Sequence, residues 1–294
     1  MDSLGQRSDD GVMSNQAPAA LILGGTGRTG SLLAANLTRA GIATRTASRH
    51  GADVRFDWDD RATHAGALSG VDRLYLVTPV LRVDYAAQVA DFLDLAETAG
   101  VRHVTFLSTY NADQAPRGID IAAVERGLAA RRSLTHAVLR PAWVMQNFTD
   151  DHLPVIDGAI TAPSGGGTEA FVDAADIAAV AARTLLDPVA HAGAQYTLTG
   201  PQALTFSEVA DTIASVSGRP VAYNDIDPEA WIGGALAAGV PADYAVMLRW
   251  LTGAIIAGNG SVPTGDIEQV TGRPATAFLT FAQRNARAWT LAAT

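Results

Sequence analysis

Short apolar runs alternate with longer amphipathic stretches along the chain from residue 19 onward. A short apolar run predicts a buried strand, and apolar positions recurring every three or four residues predict a helix. Alternation of the two is typical of a parallel sheet covered by helices on both faces. The pattern therefore predicts an α/β fold with a Rossmann-type doubly wound parallel sheet. Strands are predicted at residues 20–23, 43–47, 54–56, 73–78, 103–107 and 135–139, and helices at about 27–40, 62–68, 84–99 and 119–130.

The alternation fades after the sixth predicted strand, where proline and glycine become frequent. We expect the Rossmann domain at residues 19–145 and a smaller, interleaved C-terminal substrate lobe at 146–294. Residues 170–200 are expected to return to the Rossmann domain. Within them, Asp173 precedes an Ala-rich helix and is placed to cap it.

Composition narrows the range of partners. The formal net charge is −9 and no Lys/Arg cluster interrupts it, so nucleic acid is not an expected ligand. The chain has no cysteine, which excludes disulfides and thiolate chemistry, and its six histidines lack metal-ligand spacing. We therefore expect a small-molecule ligand and no metal.

Two segments bear on location. Residues 1–18 lack the apolar core of a signal peptide and are predicted to be a flexible leader. The most apolar later stretch, residues 231–258, is interrupted by Pro241 and Arg249, so it predicts buried helices and no membrane span. A cytoplasmic monomer or homodimer is expected.

A glycine-rich loop, GGTGRTG at residues 24–30, lies between the first predicted strand and the first predicted helix. Gly24 permits a tight turn, Gly27 lets backbone N–H groups approach a pyrophosphate, and Gly30 lets helix and strand pack closely. The helix N-terminus adds partial positive charge. A dinucleotide site is predicted, with a purely structural turn as the alternative. Its expected contacts are Gly24, Thr26, Gly27, Arg28, Thr29 and Gly30.

The end of the second predicted strand indicates which dinucleotide is bound. A site for NAD usually has an acidic residue there to accept the ribose hydroxyls, but this chain has Ser48 and Arg49. Arg49 can pair with a 2′-phosphate, Ser48 can hydrogen-bond it, and Arg28 can add a second cation. NADPH/NADP⁺ is favoured over NAD(H), although a folded loop could bring Asp53 back to the ribose.

Further cofactor contacts are expected where later strands end. Asp57 follows the third predicted strand and either accepts from the adenine amino group or is a solvated turn residue. Val77, Thr78 and Pro79 end the fourth, at the edge where ligands of open α/β sheets bind. Ser108 ends the fifth and is expected to contact cofactor as well.

Several motifs in order resemble the NmrA-like atypical short-chain dehydrogenases, from about residue 19 to 289. The resemblance is strongest to the festuclavine and agroclavine dehydrogenases, and it extends to NADPH-dependent quinone oxidoreductases. It implies NADPH-dependent reduction of quinone, triphenylmethane, isoflavone or iminium compounds, although the family also includes regulators that bind dinucleotide without turnover. The motifs are GGTGRTG, Ser48-Arg49, LST at 107–109, LRPAWVMQNF at 139–148, FVDAADIA at 171–178, YTLTGP at 196–201 and VTGRP at 270–274.

Catalysis must differ from that of ordinary short-chain dehydrogenases, because the Tyr-x-x-x-Lys pair is absent. Gln114 stands four residues after Tyr110, and the helix that should carry the lysine offers Glu125-Arg126. An acceptor that is already electrophilic, of the iminium, quinone or enone type, can take a hydride through positioning alone. Alternatively, Tyr110 or Ser108 donates a proton, with Tyr110 as a packing residue left open.

Residues 143–148, after the sixth predicted strand, resemble the family's substrate wall. Trp143, Gln146, Asn147 and Phe148 are the predicted substrate contacts, whereas Met145 is better explained as core. Trp231, Tyr244, Met247 and Trp250 either close the pocket or form a subunit contact.

The sequence thus predicts an NADPH-dependent reductase of a small planar or cationic organic acceptor. The alternative is an NADP(H)-sensing regulator of the NmrA type without turnover. A non-redox enzyme that merely retains the cofactor is a third hypothesis.

Overall fold

The computed structural model describes residues 19–150 and 152–290, so the expected leader at 1–18 lies outside the described residues. The strands, in chain order, are β1 Ala19–Leu23, β2 Ala43–Ser48, β3 Val54–Arg55, β4 Arg73–Leu76, β5 His103–Leu107, β6 Thr135–Pro141, β7 Ala159–Ala162, β8 Thr168–Glu169, β9 Ala194–Leu198, β10 Leu204–Thr205 and β11 Ala222–Asp225. The helices are α1 Arg28–Arg39, α2 Ala62–Leu68, α3 Ala86–Ala99, α4 Ile121–Ala129, α5 Ala174–Leu186, α6 Phe206–Ser217, α7 Pro228–Ala237, α8 Ala245–Ile256, α9 Asp266–Thr271 and α10 Phe278–Asn285.

Seven strands form one parallel sheet in the order β3-β2-β1-β4-β5-β6-β9. The order reverses direction at β1, so the sheet is doubly wound and has its topological switch point between β1 and β4. The predicted α/β Rossmann-type fold is confirmed. Ligands of such sheets bind outside the carboxyl ends of the strands, which places the expected site beyond β1, β4 and β5.

Apolar residues cover both faces of this sheet. On one face α3 and α4 bury side chains such as Phe92 and Leu128 against the sheet, and on the other α1 and α5 bury Leu33 and Ile177. Apolar residues recur every three or four positions in each helix and so form a stripe along one side. Burial of that stripe stabilises the helical conformation and fixes which side of the helix faces the sheet. The sheet is therefore held from both sides.

The predicted strands and helices before residue 141 all form, with small shifts at their ends. The fourth strand ends at Leu76, two residues before the predicted end. Pro79 follows shortly after, and a proline has no N–H to continue a strand ladder. The early end turns Val77, Thr78 and Pro79 into a loop at the carboxyl edge.

The second half of the chain builds a smaller layer and also rejoins the sheet. Strand β7 pairs in parallel with β11, and β8 pairs antiparallel with β10. Strand β9 is the edge strand of the main sheet, while α9 buries Ile267 against the α1–α5 face. Asp173 caps α5 as predicted, accepting from the Ala175 N–H at 2.9 Å. A domain division near residue 145 remains a proposal.

The core of the smaller layer is aromatic. Phe148, Phe171, Phe206 and Phe278 are all buried and meet mostly edge to face. Aromatic pairs in this geometry add to the stabilisation from area burial alone. Among the described residues, no helix combines the length and apolar character that crossing a membrane requires.

Candidate cofactor cleft and active site

The glycine loop has the backbone geometry that its spacing predicts. Gly24 has φ +63°, a conformation that side chains rarely adopt, and its carbonyl accepts from the Gly27 N–H at 2.8 Å. A Cβ at Gly30 would overlap that same Gly24 carbonyl oxygen. Helix α1 begins at Arg28, directly after the loop. The tight loop and the helix N-terminus form a cradle that fits a pyrophosphate.

Side-chain hydroxyl groups form hydrogen bonds around this cradle. The buried Tyr75 hydroxyl donates to Thr29 Oγ1 at 3.1 Å, and burial raises the pKa of the Tyr75 phenol. Thr26 Oγ1 donates to Ser48 Oγ at 3.2 Å, and Ser48 in turn donates to the His50 carbonyl. Thr26 and Ser48 therefore join the glycine loop to the end of β2.

The two arginines predicted to bind phosphate differ in their surroundings. Arg49 is exposed, and within residues 19–150 and 152–290 it has no ion pair or hydrogen bond. Arg28 pairs with Asp150, donates to Asn147 Oδ1 at 2.9 Å and lies 2.7 Å from His152 Nδ1. Arg49 is available to a ligand, whereas Arg28 must first release the segment after β6.

The acidic residues near the adenine end are engaged in turns. Asp53 Oδ2 accepts from the Thr46 N–H at 2.8 Å and from Thr46 Oγ1 at 2.7 Å, and these hydrogen bonds lower the pKa of the Asp53 carboxyl. The loop after β2 therefore folds back onto that strand and brings Asp53 into contact with Thr46. Asp57 Oδ1 accepts from the Asp59 N–H at 3.1 Å and the Asp57 side chain stays partly exposed.

A cavity of about 290 Å³ opens at the carboxyl ends of β4 and β5, and we call it the cleft cavity. Leu81, on its rim, has φ +56°, a strained conformation for a branched side chain, and Val80 beside it is 79% exposed. Apolar side chains held in solvent at a cavity mouth are typical of a ligand site. The lining comprises Val77, Thr78, Pro79, Val80, Leu81, Arg82, Tyr85, Leu107, Ser108, Thr109, Ile121, Tyr244, Met247 and Leu251.

Ser108, in the wall of the cleft cavity, belongs to a buried charged network. Ser108 Oγ donates to Glu125 Oε1 at 2.6 Å. Arg140 Nε donates to the same oxygen at 3.0 Å, and a second Arg140 nitrogen contacts Glu125 Oε2. Arg140 also pairs with Asp113 at 3.1 Å, and these carboxylates raise the pKa of the guanidinium. Glu125 lies on the helix that carries the catalytic lysine in ordinary short-chain dehydrogenases, and here it serves as a buried hydrogen-bond acceptor.

Tyr110 lies next to a second buried carboxyl. Its N–H donates to the Pro141 carbonyl at 3.0 Å, and two residues later the Trp143 N–H donates to Glu169 Oε1 at 3.3 Å. Burial raises the pKa of Glu169 to about 7, against the opposing effect of the Trp143 hydrogen bond. Burial and the Glu169 charge raise the pKa of the Tyr110 phenol, so Tyr110 stays a protonated hydroxyl at neutral pH.

The predicted substrate wall is largely committed to the protein itself. Gln146 donates to Asp173 Oδ1 at 2.8 Å, Asn147 accepts from Arg28, and Phe148 is buried in the aromatic core. Trp143 packs partly buried against that same core. None of the four lines the cleft cavity among the described residues. Their contact with substrate remains a prediction.

Part of the site has no clear signal in the sequence. Tyr244 and Met247, predicted as either pocket or subunit-contact residues, line the cleft cavity, whereas Leu81, Glu169 and the acceptor role of Glu125 were not predicted. A signal for Glu169 exists, because it is the only charged residue in the stretch from Ala159 to Val172. No comparable signal marks Leu81.

The sequence matches the NmrA-like family over residues 18–251. It is 37% identical to the uncharacterized oxidoreductase YesF of Bacillus subtilis, over 95% of this chain and 98% of that protein. It is 29% identical to festuclavine synthase II of Penicillium roqueforti, over 92% and 99%. The chain belongs to the NmrA-like family, and the predicted resemblance, including its ergot-alkaloid branch, is confirmed.

A solved structure shows the same fold. The NADPH-dependent quinone oxidoreductase of Escherichia coli, complexed with NADPH, superposes with a TM-score of 0.73 at 23% identity, over 90% of this chain and 99% of that one. At this identity the likeness supports the architecture of sheet and lobe.

Proposed function

We propose that this protein is an NADPH-dependent reductase that delivers hydride to a small planar or cationic organic acceptor in the cleft cavity. At the level of reaction class it is an NAD(P)H-dependent oxidoreductase, in keeping with its relatives. The observation that carries the proposal is the cradle of Gly24, Gly27 and Gly30 at the start of α1, adjoining an apolar cavity at the next strand ends. Bound NADPH would supply the hydride.

The pyrophosphate would fit the glycine loop because Gly24, Gly27 and Gly30 carry no side chain there. Backbone N–H groups at the start of α1 and the helix dipole favour a doubly charged ligand. Ser48, Arg49 and Asp57 would hold the adenosine part of the cofactor, and Val77 and the cleft cavity would receive the nicotinamide.

The contacts at the end of β2 favour NADPH over NADH. The exposed Arg49 can form a charge-assisted pair with the 2′-phosphate. The Asp53 carboxylate, which follows β2 and could accept from a free ribose hydroxyl, already accepts two hydrogen bonds from Thr46. An engaged carboxylate gains less from the ribose of NADH.

The character of the cleft cavity supports a flat and largely apolar acceptor. Leucine, valine, isoleucine and methionine side chains dominate its lining, with hydroxyl groups at a few points. An acceptor that is already electrophilic takes a hydride through positioning alone, so the missing lysine is no obstacle. Tyr110 is protonated at neutral pH and directly follows the lining residue Thr109, although among the described residues it does not itself line the cleft cavity.

Titration with NADPH and NADH, followed by nicotinamide fluorescence and Trp quenching, tests the cofactor site. Arg49→Ala should weaken NADPH binding by about 1.5–3 kcal/mol and leave NADH nearly unchanged, because only NADPH carries the 2′-phosphate. Arg132→Ala, an exposed arginine near the opposite end of the sheet, is the matched control and should change neither affinity. Failure of wild type to bind either nucleotide contradicts the proposal.

Turnover is tested separately. NADPH consumption is followed with 1,4-naphthoquinone, a neutral planar acceptor, and with protonated 3,4-dihydroisoquinoline, a cationic planar acceptor that carries an N–H donor. Reduction of at least one, lost when Leu251→Trp fills the cleft cavity, supports the reductase. Tight NADPH binding without turnover on any acceptor of these types would instead favour the regulatory alternative.

A further inference from the structure

The hydroxyl proton of Ser108 has a fixed direction. Both Glu125 oxygens accept hydrogen bonds from Arg140, and Oε1 also accepts from Ser108, so Glu125 acts as an acceptor in this network. At 2.6 Å the hydrogen bond between Ser108 and Glu125 is short, as expected for a charge-assisted pair. The Ser108 proton therefore points into the protein, and the oxygen lone pairs are left for the cleft cavity.

The charges behind Ser108 reinforce this orientation. Arg140 is shared between Glu125 and Asp113, so the network carries two negative charges and one positive charge. Glu125 is 7% exposed, so its charge is poorly screened by solvent. The cavity lining contains one cation, Arg82, which is paired with Asp59 at 2.8 Å. The potential at the Ser108 wall is thus set by carboxylates.

We propose that Glu125 is a positioning residue that makes Ser108 a hydrogen-bond acceptor, so that the cleft cavity selects ligands donating a hydrogen bond at this wall. This inference builds on the proposed function, since it concerns how the same cavity recognises its acceptor. A ligand that offers only a carbonyl oxygen meets a lone pair at Ser108. A ligand with an N–H or O–H donor next to its ring system gains a hydrogen bond there.

Ser108 and Tyr110, the two hydroxyls predicted as alternative proton donors, therefore differ in role. Ser108 cannot donate to a substrate without leaving Glu125 short of a partner in a buried site, which is unfavourable. Tyr110 has no such commitment among the described residues and keeps its proton. Ser108 therefore orients the ligand and does not serve as its proton donor.

A matched pair of unreactive probes tests the selection without turnover. 1,2,3,4-Tetrahydroisoquinoline carries a protonated amine with two N–H donors at neutral pH, and isochroman has an ether oxygen at the same ring position. Their affinities are measured by calorimetry for the full chain, with and without saturating NADP⁺. Wild type should bind the ammonium probe at least about tenfold more tightly, in line with one charge-assisted hydrogen bond.

Variants locate the preference. Ser108→Ala should reduce the affinity ratio of the two probes to below about threefold, and Glu125→Gln should reduce it in the same direction. Thr109→Val, which removes the neighbouring hydroxyl in the same wall, is the control and should keep the wild-type ratio. Thermal unfolding of each variant accompanies the titrations. If Glu125→Gln does not fold, Ser108→Ala decides the matter.

Equal binding of the two probes by wild type, no binding of either, or a ratio unchanged in Ser108→Ala would overturn the inference. A ratio that falls in Thr109→Val as much as in Ser108→Ala would also overturn it, by showing a general effect of the wall. If NADPH fails to bind in the titrations above while the ratio behaves as expected, the proposed function fails and the role of Ser108 stands.

Discussion

The glycine loop at residues 24–30 and the post-β6 segment at residues 142–150 both follow a strand at the carboxyl edge of the sheet. Both were predicted to contact ligands. In the glycine loop the defining contact joins Gly30 to Gly24, six residues away, through backbone atoms. In the post-β6 segment the side chains reach residues far along the chain, such as Asp173 and Arg28.

The two regions differ in whether binding depends on the backbone or on side chains. A phosphate cradle needs backbone N–H groups and the absence of side chains, and local spacing suffices to specify both. A substrate wall needs side chains that have no partner in the protein. Gln146 and Phe148 have such partners, so their position at the sheet edge does not make them available.

The largest effect is expected from Phe148→Ala. Phe148 is buried against Phe171, Phe206 and Phe278, so truncation should lower the free energy of unfolding by about 3–5 kcal/mol. Urea unfolding measures this, with the half-exposed Leu279→Ala as a control that should lose less than about 1 kcal/mol. A Phe148→Ala protein of wild-type stability with weakened substrate binding would restore the predicted wall.

Glu169, under the post-β6 segment, should make stability depend on pH. Burial raises the pKa of Glu169 to about 7 in the folded state. In the unfolded state the same carboxyl loses its proton near the ordinary pKa of a glutamate, so between these two pKa values only the folded state keeps the proton. The contribution of Glu169 to the free energy of unfolding is therefore fully present below the pKa of the unfolded state. It is lost as the pH rises through about 7, by up to about 3 kcal/mol.

Glu169→Gln isolates this contribution. Urea unfolding of wild type and Glu169→Gln should give similar stabilities at pH 4 and a more stable variant at pH 8, because glutamine cannot ionise. Glu268→Gln, on the exposed side of α9, removes the same charge and should not reproduce the difference. A pH-independent difference between wild type and Glu169→Gln contradicts the burial argument.

Gly30→Ala probes the glycine loop itself. The added Cβ would overlap the Gly24 carbonyl, so we expect a loss of about 1–3 kcal/mol in stability together with weaker NADPH binding. Gly66→Ala is the matched control, since that glycine lies inside α2 with open space around it. Its expected effect is a gain of about 0.5–1 kcal/mol. Equal behaviour of the two variants would mean that the loop has room to adjust.

The smallest effect concerns the contact between the two regions. Asp150→Asn removes the carboxylate that holds Arg28, so Arg28 becomes free to turn to the cofactor phosphates. NADPH should bind more tightly by about 1 kcal/mol or less, the range for a partly exposed pair. Asp211→Asn, an exposed residue on α6, controls for net charge. Weaker binding in Asp150→Asn would show that Arg28 acts best in its present position.

Much of the fold could be predicted because buried strands and helices have characteristic apolar patterns in the local sequence. Strands β1, β2, β5 and β6 and helices α1 to α4 follow from apolar periodicity, and the glycine loop follows from spacing alone. The site was predicted less completely. Leu81 enters the cleft cavity through a strained loop, and residues of α8 reach it from the other lobe.

The sequence by itself determined most strands and helices of the main sheet, the glycine loop and the presence of an arginine at the end of β2. Each depends on residues within a few positions of one another, whose periodicity and spacing can be read directly. Only the tertiary structure decided which polar groups are free. Arg28 meets Asn147 across 119 positions, and Ser108 meets Glu125 across 17. Such partners depend on how separate segments pack, and no local pattern encodes that choice.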